Sequence, residues 1–151
     1  MSLHRAEISW RLEGDFASGR FSRAHRWRFD GGLDMPASAS PAVMPSPMSD
    51  PQAVDPEEAF VAAIASCHMM SFLHVARLEG VAVTTYHDAA VGRMARLGPG
   101  RHWVERVDLN IRAEFEGAAP DPARQEAMHA AAHALCFIAN SVKSEIVVNL
   151  I

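Results

Sequence analysis

Between Ala59 and Ala76 the chain carries no Asp, Glu, Lys or Arg, and apolar residues fall on every face of a helix drawn through the stretch. A helix that is apolar all round is a buried one. Both of its ends are marked. Asp55 is placed as N-cap, Pro56 as first helical residue and Glu58 as the reciprocal capping carboxylate, while Arg77 and Gly80 supply a stop. The pattern predicts a central helix over 55–80, DPEEAFVAAIASCHMMSFLHVARLEG, buried around its whole circumference. Cys67 stands at its middle with His68 beside it.

On either side the period changes from helix to strand. Ala6, Ile8, Trp10 and Leu12 alternate with Arg5, Glu7, Ser9, Arg11 and Glu13, a half-buried strand ended by Gly14-Asp15. A second strand over 20–30 sets Phe21, Arg23, His25, Trp27 and Phe29 on one face and Arg26 and Arg28 on the other. The aromatic face is the inward one, so Arg23 needs a carboxylate or an anionic ligand there unless it reaches water at a strand end. Asp30-Gly31-Gly32 marks a hairpin into a third short strand through Met35. Residues 36–56 then hold six of the nine prolines, a long extended connection able to wrap a neighbouring subunit or cover a site.

After the central helix, 81–91 reads as a strand, Gly98-Pro99-Gly100 as a turn, and 106–115 as the clearest alternation in the chain. Val107, Leu109, Ile111, Ala113 and Phe115 face in; Arg106, Asp108, Asn110, Arg112 and Glu114 face out. Asp121-Pro122 starts a second helix with Met128, Ala131, Ala132 and Leu135 as its apolar stripe. Cys136 closes it, and 144–151 is a terminal strand. The order βββ-α-ββ-α-β with hairpins defines an α+β fold with antiparallel sheets. We read one domain over 1–151: strand-rich 1–35, connection 36–54, helix 55–80, strands 81–116, and helix with terminal strand 121–151.

Composition narrows the function. A formal net charge of −4 and the lack of a dense basic run argue against nucleic acid as partner. The uncharged run of the central helix approaches the length of a membrane span, but it holds Ser66, Cys67, His68, Ser71 and His74, so a helix buried in protein is the expectation. No secretory h-region opens the chain, and a cytoplasmic protein is expected. There, two cysteines far apart in sequence are better read as free or redox-active thiols than as a static staple.

The segments around the two cysteines, DPEEAFVAAIASCHMMSFL and CFIANSVKSEIVVNL, together resemble the OsmC/Ohr family of thiol-dependent peroxidases. The resemblance implies an OsmC-like fold with a long central apolar helix, an intertwined homodimer, and no cofactor. It makes Cys67 the peroxidatic thiol, Cys136 the resolving thiol and Glu57 an acidic partner. It also calls for an arginine from the early strands, which falls on Arg20 or Arg23; strand period favours Arg23. The implied substrate is an organic hydroperoxide, with hydrogen peroxide as a further candidate, and a thiol or dithiol returns the enzyme to its reduced form. A thiolate attacks the peroxide, a sulfenic acid forms, and a second thiol condenses with it. Ten residues of straight helix separate Glu57 from Cys67, about 15 Å. For Glu57 to act there, either the helix breaks after its first turn or Arg23 bridges to it.

Two other assignments compete. His129 and His133 share a helix face one turn from Cys136, a spacing that begins a zinc site. A non-enzymatic dimer binding an apolar molecule beside the Met-rich helix is the second alternative.

Overall fold

The computed structural model describes residues 2–151, which divide into two units at the boundary between Ala59 and Phe60.

In the first unit, β1 (Ala6–Ser9), β4 (His25–Phe29) and β5 (Asp34–Ala37) form an antiparallel sheet in the order β1-β4-β5, and β2 (Gly14–Asp15) pairs with β3 (Arg20–Phe21). The expected strand over 20–30 is therefore two strands with a break at 22–24, and Arg23 lies in that break. Beyond it the alternation holds. His25, Trp27 and Phe29 are half-buried and Arg26 and Arg28 are exposed. The two arginines reach across to Asp34 on β5, at 2.7 and 3.2 Å. The first strand is not half-buried within one chain: Ile8 is 58% exposed, and Trp10 and Leu12 are exposed as well.

The proline-rich connection is not extended either. Ala37 and Val54 form a parallel bridge at its neck, Ser38 donates its amide to the Val54 carbonyl at 3.0 Å, and the Ser38 hydroxyl accepts from the Asp50 amide at 2.9 Å. The segment is a loop closed at its neck, with short turns inside it and the Met48 carbonyl accepting from the Arg23 amide at 2.8 Å.

Helix α1 (Pro56–Leu78) starts as its sequence dictates. The Asp55 carboxylate accepts from the Glu58 amide at 2.7 Å while the Glu58 carboxylate accepts from the Asp55 amide at 3.2 Å, a reciprocal capping box. At the other end Gly80 takes φ +70°, and the Val81 amide returns to the Ala76 carbonyl at 2.9 Å. That left-handed turn is why a glycine stands there.

In the second unit, Ile64, Cys67, His68, Phe72, Val75 and Ala76 of α1 are buried, but Met70, Leu73 and Leu78 are exposed. One chain covers only part of the helix, contrary to the expectation of burial on all sides. The lower half of α1 packs through Phe72, Val75 and Ala76 on Met128 and Ala132 of α2 (Pro122–Leu135). Its upper half sets Ile64 against Val107, Leu109 and Ile111.

Those three belong to β8 (Arg101–Phe115), the spine of the second sheet. Along β8 run β6 (Val83–Asp88) and β7 (Val91–Gly98), both antiparallel, so that the chain from 83 to 98 follows one partner from Phe115 back to Arg101. Gly92 admits α1 at close range; a Cβ there would stand 2.6 Å from the Val61 methyl. The terminal strand β9 (Glu145–Leu150) pairs with β8 in parallel, so the sheet is mixed and not purely antiparallel. One outward position of β8 also departs from the pattern. Asp108 is only 4% exposed because Arg93 and Arg106 lie over its carboxylate at 2.8 and 2.6 Å. Hydrogen bonds from Arg106 first and Arg93 second, with their charges adding to them, hold it down at a pKa of about 2.

Candidate active site

Cys67 and Cys136 come from different elements and meet. Cys67 lies at the midpoint of α1, on its buried side, and Cys136 is the C-cap of α2, its amide bonded to the His133 carbonyl at 3.2 Å. Both are free thiols and both are buried. Burial, and after it the neighbouring Cys67 thiol, pushes the Cys136 thiol up.

The turn after α2 supplies two donors. From Cys136 the chain winds into a 3-10 turn, Ala139–Ser141, which Asn140 ties back by donating its side-chain amide to the Ala134 carbonyl at 3.0 Å. This winding aims two backbone amides at sulfur. Ile138 donates to Cys67 Sγ at 3.5 Å and Ala139 donates to Cys136 Sγ at 3.3 Å. Each sulfur thus has a backbone amide directed at it, and Cys136 is the thiol that burial favours in its protonated form.

The other sequence candidates stand as follows. The Arg23 guanidinium stacks 3.6 Å above the Phe21 ring, and its Nη1 donates to the carbonyls of Gly19 and Phe21. Among the described residues its Nε and Nη2 make no hydrogen bond, and no ion pair joins it to Glu57. Arg20 bonds the Ser18 hydroxyl at 3.3 Å and is exposed. Glu57 is half-buried in the first turn of α1, and α1 runs without a break, so ten residues of helical rise, about 15 Å, lie between Glu57 and Cys67. The expected break after the first turn does not occur.

The zinc alternative does not assemble. Among the described residues no three of His, Cys, Asp and Glu converge on a point that could hold a metal ion. His129 turns inward to His68, 3.0 Å between Nε2 of His68 and Nδ1 of His129, whereas His133 is exposed. Burial pushes both inward imidazoles down to about 4; for His68 the charges of His129 and His133 add to it.

Sequence reasoning found the two sulfurs and missed what surrounds them. The amides of Ile138 and Ala139 leave no mark in side-chain chemistry, and the partner of His68 lies 61 positions away. A helix that ends on a cysteine and is followed by Asn and Ser was the available signal for the turn.

The model of the OsmC-like protein family matches residues 49–151, and the chain belongs to that family. Among solved structures it is similar to an OsmC-like protein of unknown function from Vibrio cholerae O1 biovar eltor, at 45% identity over 100% of both chains and a TM-score of 0.93. It shares its fold with an organic hydroperoxide resistance protein from Elizabethkingia anophelis, at 16% identity over 99% of this chain and 95% of that one, TM-score 0.70. The organic hydroperoxide resistance protein OhrB of Bacillus subtilis shares it too, at 19% identity over 97% and 96%, TM-score 0.64. A search of curated protein sequences returns no match.

Proposed function

We propose that this protein is a thiol peroxidase that reduces organic hydroperoxides through Cys67 and Cys136. The observation that carries the proposal is the placing of two buried free thiols at one turn, with the Ile138 amide directed at Cys67 Sγ and the adjoining Ala139 amide at Cys136 Sγ. The Cys67 thiolate attacks the terminal oxygen of ROOH; the O–O bond breaks, the alkoxide takes a proton and leaves as ROH, and Cys67 becomes the sulfenic acid. The Cys136 sulfur then attacks Cys67, its proton leaves with the hydroxyl as water, and a disulfide forms. An external thiol or dithiol supplies the two electrons that reopen it. A resolving thiol held at the same turn makes the second step intramolecular, which protects Cys67 from further oxidation.

Organic over inorganic peroxide is supported by the hydroperoxide-resistance relatives of the same fold and by the apolar helix that bears Cys67. Family resemblance gives Arg23 the role of cation and Glu57 that of its acidic partner, and the unengaged Nε and Nη2 of Arg23 are compatible with anion binding. The working form is a homodimer in the cytoplasm. Met70, Leu73 and Leu78 along an otherwise apolar α1 make an exposed face of the kind a second copy covers.

The test is consumption of cumene hydroperoxide with dithiothreitol as reductant. Turnover that vanishes in Cys67→Ser supports the proposal. Turnover that persists in Cys67→Ser, or is absent from the wild type, removes it.

A further inference from the structure

A buried histidine pair ties together the two helices that carry the cysteines. His68 follows Cys67 on α1, and His129 stands seven residues before Cys136, two turns back on the same side of α2. The two rings are nearly parallel, 6° apart in plane, and joined nitrogen to nitrogen at 3.0 Å. Phe72, one turn beyond His68, stacks on His129 with centroids 4.0 Å apart. Two residues of α1 thus grip one imidazole of α2.

The grip depends on protonation. His68 and His129 are 1% and 3% exposed, and no carboxylate is among their hydrogen-bond partners. The charged forms that act on His68 are those of His129 and His133; Tyr86 of β6, which packs on Phe72, is kept neutral by burial and by Asp88. Along α1, Cys67 adjoins His68; along α2, Glu126 and His133 stand three and four residues from His129, and Cys136 seven. A nitrogen-to-nitrogen hydrogen bond holds one proton, so the contact requires that at least one ring be neutral; with both charged, two N–H groups oppose each other.

We propose that the His68–His129 contact is a positioning device for the cysteine pair, holding the end of α2 against α1 so that Cys136 stays in reach of Cys67. The proposal rests on the assignment of those cysteines as a redox pair and adds to it two residues that touch neither peroxide nor the sulfurs' electrons. Coupling of this kind is reciprocal. If the neutral pair favours the disulfide, the disulfide favours the neutral pair.

The experiment equilibrates the protein with reduced and oxidised dithiothreitol. Cys67 and Cys136 give up two electrons and two protons and form their S–S bond as the S–S bond of oxidised dithiothreitol is reduced. His129→Leu, which keeps bulk and loses the bond, is expected to lower the disulfide equilibrium constant about tenfold, a rise in potential of about 30 mV. His129→Asn, whose amide sits near the place of Nδ1, is expected to restore it to within about twofold. A second measurement needs no variant. The pair titrates as a unit, and the lower of its two apparent pKa values, followed by NMR of the imidazoles, is expected to fall by up to about one unit in the disulfide form relative to the reduced form. Equal titrations in the two forms, or an unchanged equilibrium constant in a folded His129→Leu, overturn the proposal. Neither arm uses a peroxide. A chain that shows the coupling and consumes no hydroperoxide refutes the proposed function and leaves the positioning role standing.

Discussion

The backbone amide of Ile138 points at the sulfur of Cys67 from 3.5 Å, across 71 positions of sequence. It reaches there because Cys136 ends α2 and the chain turns at once into a 3-10 turn held by Asn140. One short turn therefore brings the second sulfur and directs a donor at the first. If the turn sets the chemistry, loosening it should cost reaction rate more than fold. Asn140→Ala, which removes the tie to the Ala134 carbonyl, is expected to slow disulfide formation after sulfenic acid appears, by several-fold to tenfold. Stopped-flow fluorescence with a sulfenate trap separates the two steps. Slowing of sulfenate formation alone would contradict the assignment of the turn to resolution.

The two buried imidazoles make stability depend on pH with a definite sign. Each is held down to about 4 in the folded chain, against 6.5 for an unrestrained histidine. The unfolded chain therefore binds more protons between those values, and stability rises with pH across that window. It is complete above about pH 6.5 and is lost as pH falls toward 4. Each imidazole contributes a slope of at most about 1.4 kcal/mol per pH unit. Asp108, held at about 2 by Arg106 and Arg93, adds a second loss that begins below 3.8. Urea midpoints are expected to drop steeply from about pH 7 to about pH 4 in the wild type. In a folded His68→Leu/His129→Leu double variant they should drop less.

At Gly92, β7 runs close against Val61 of α1. The added methyl of Gly92→Ala would meet the Val61 side chain at 2.6 Å, and a β-branched valine has little freedom to turn away. The substitution is expected to destabilise the fold by about 1–3 kcal/mol. Gly92→Ala combined with Val61→Ala should recover much of that loss. Thermal unfolding of the three variants checks it, and an additive pair would show that the contact is not the cause.

The exposed apolar side of α1 bears on assembly. A dimer formed across Met70 and Leu73 predicts a solution mass twice the 16.5 kDa of the chain. Met70→Glu/Leu73→Glu is expected to shift it toward one chain, because burying two carboxylates without partners is costly. Light scattering after gel filtration reads both states. A wild type that elutes as a single chain removes the dimer.

What the sequence disclosed depended on the range of the interaction. The capping box of Asp55 and Glu58 and the glycine stop at Gly80 are local, and each stands where its residues place it. The alternation of His25, Trp27 and Phe29 against Arg26 and Arg28 is local as well. Longer-range features escaped. Nothing in the composition of 36–54 says that Ser38 would close the loop on Asp50 and Val54, and alternation alone could not show that two arginines would cover Asp108. The strand over 20–30 broke at 22–24, where the Arg23 amide bonds the Met48 carbonyl at 2.8 Å instead of a neighbouring strand. At the site, family resemblance identified Cys67 and Cys136. The zinc assignment failed because helical spacing put His129 and His133 on one face but could not reveal that His68 would claim the first of them.

The central claim is that Cys67 and Cys136 act as one redox unit, and the most direct test is the intact mass of the reduced protein after one equivalent of cumene hydroperoxide. The account predicts a mass lower by two hydrogens, loss of both titratable thiols, and full recovery with dithiothreitol. Cys136→Ser should instead gain oxygen on Cys67. A wild-type chain that keeps both thiols, or that gains oxygen on one cysteine while the other stays free, would contradict it.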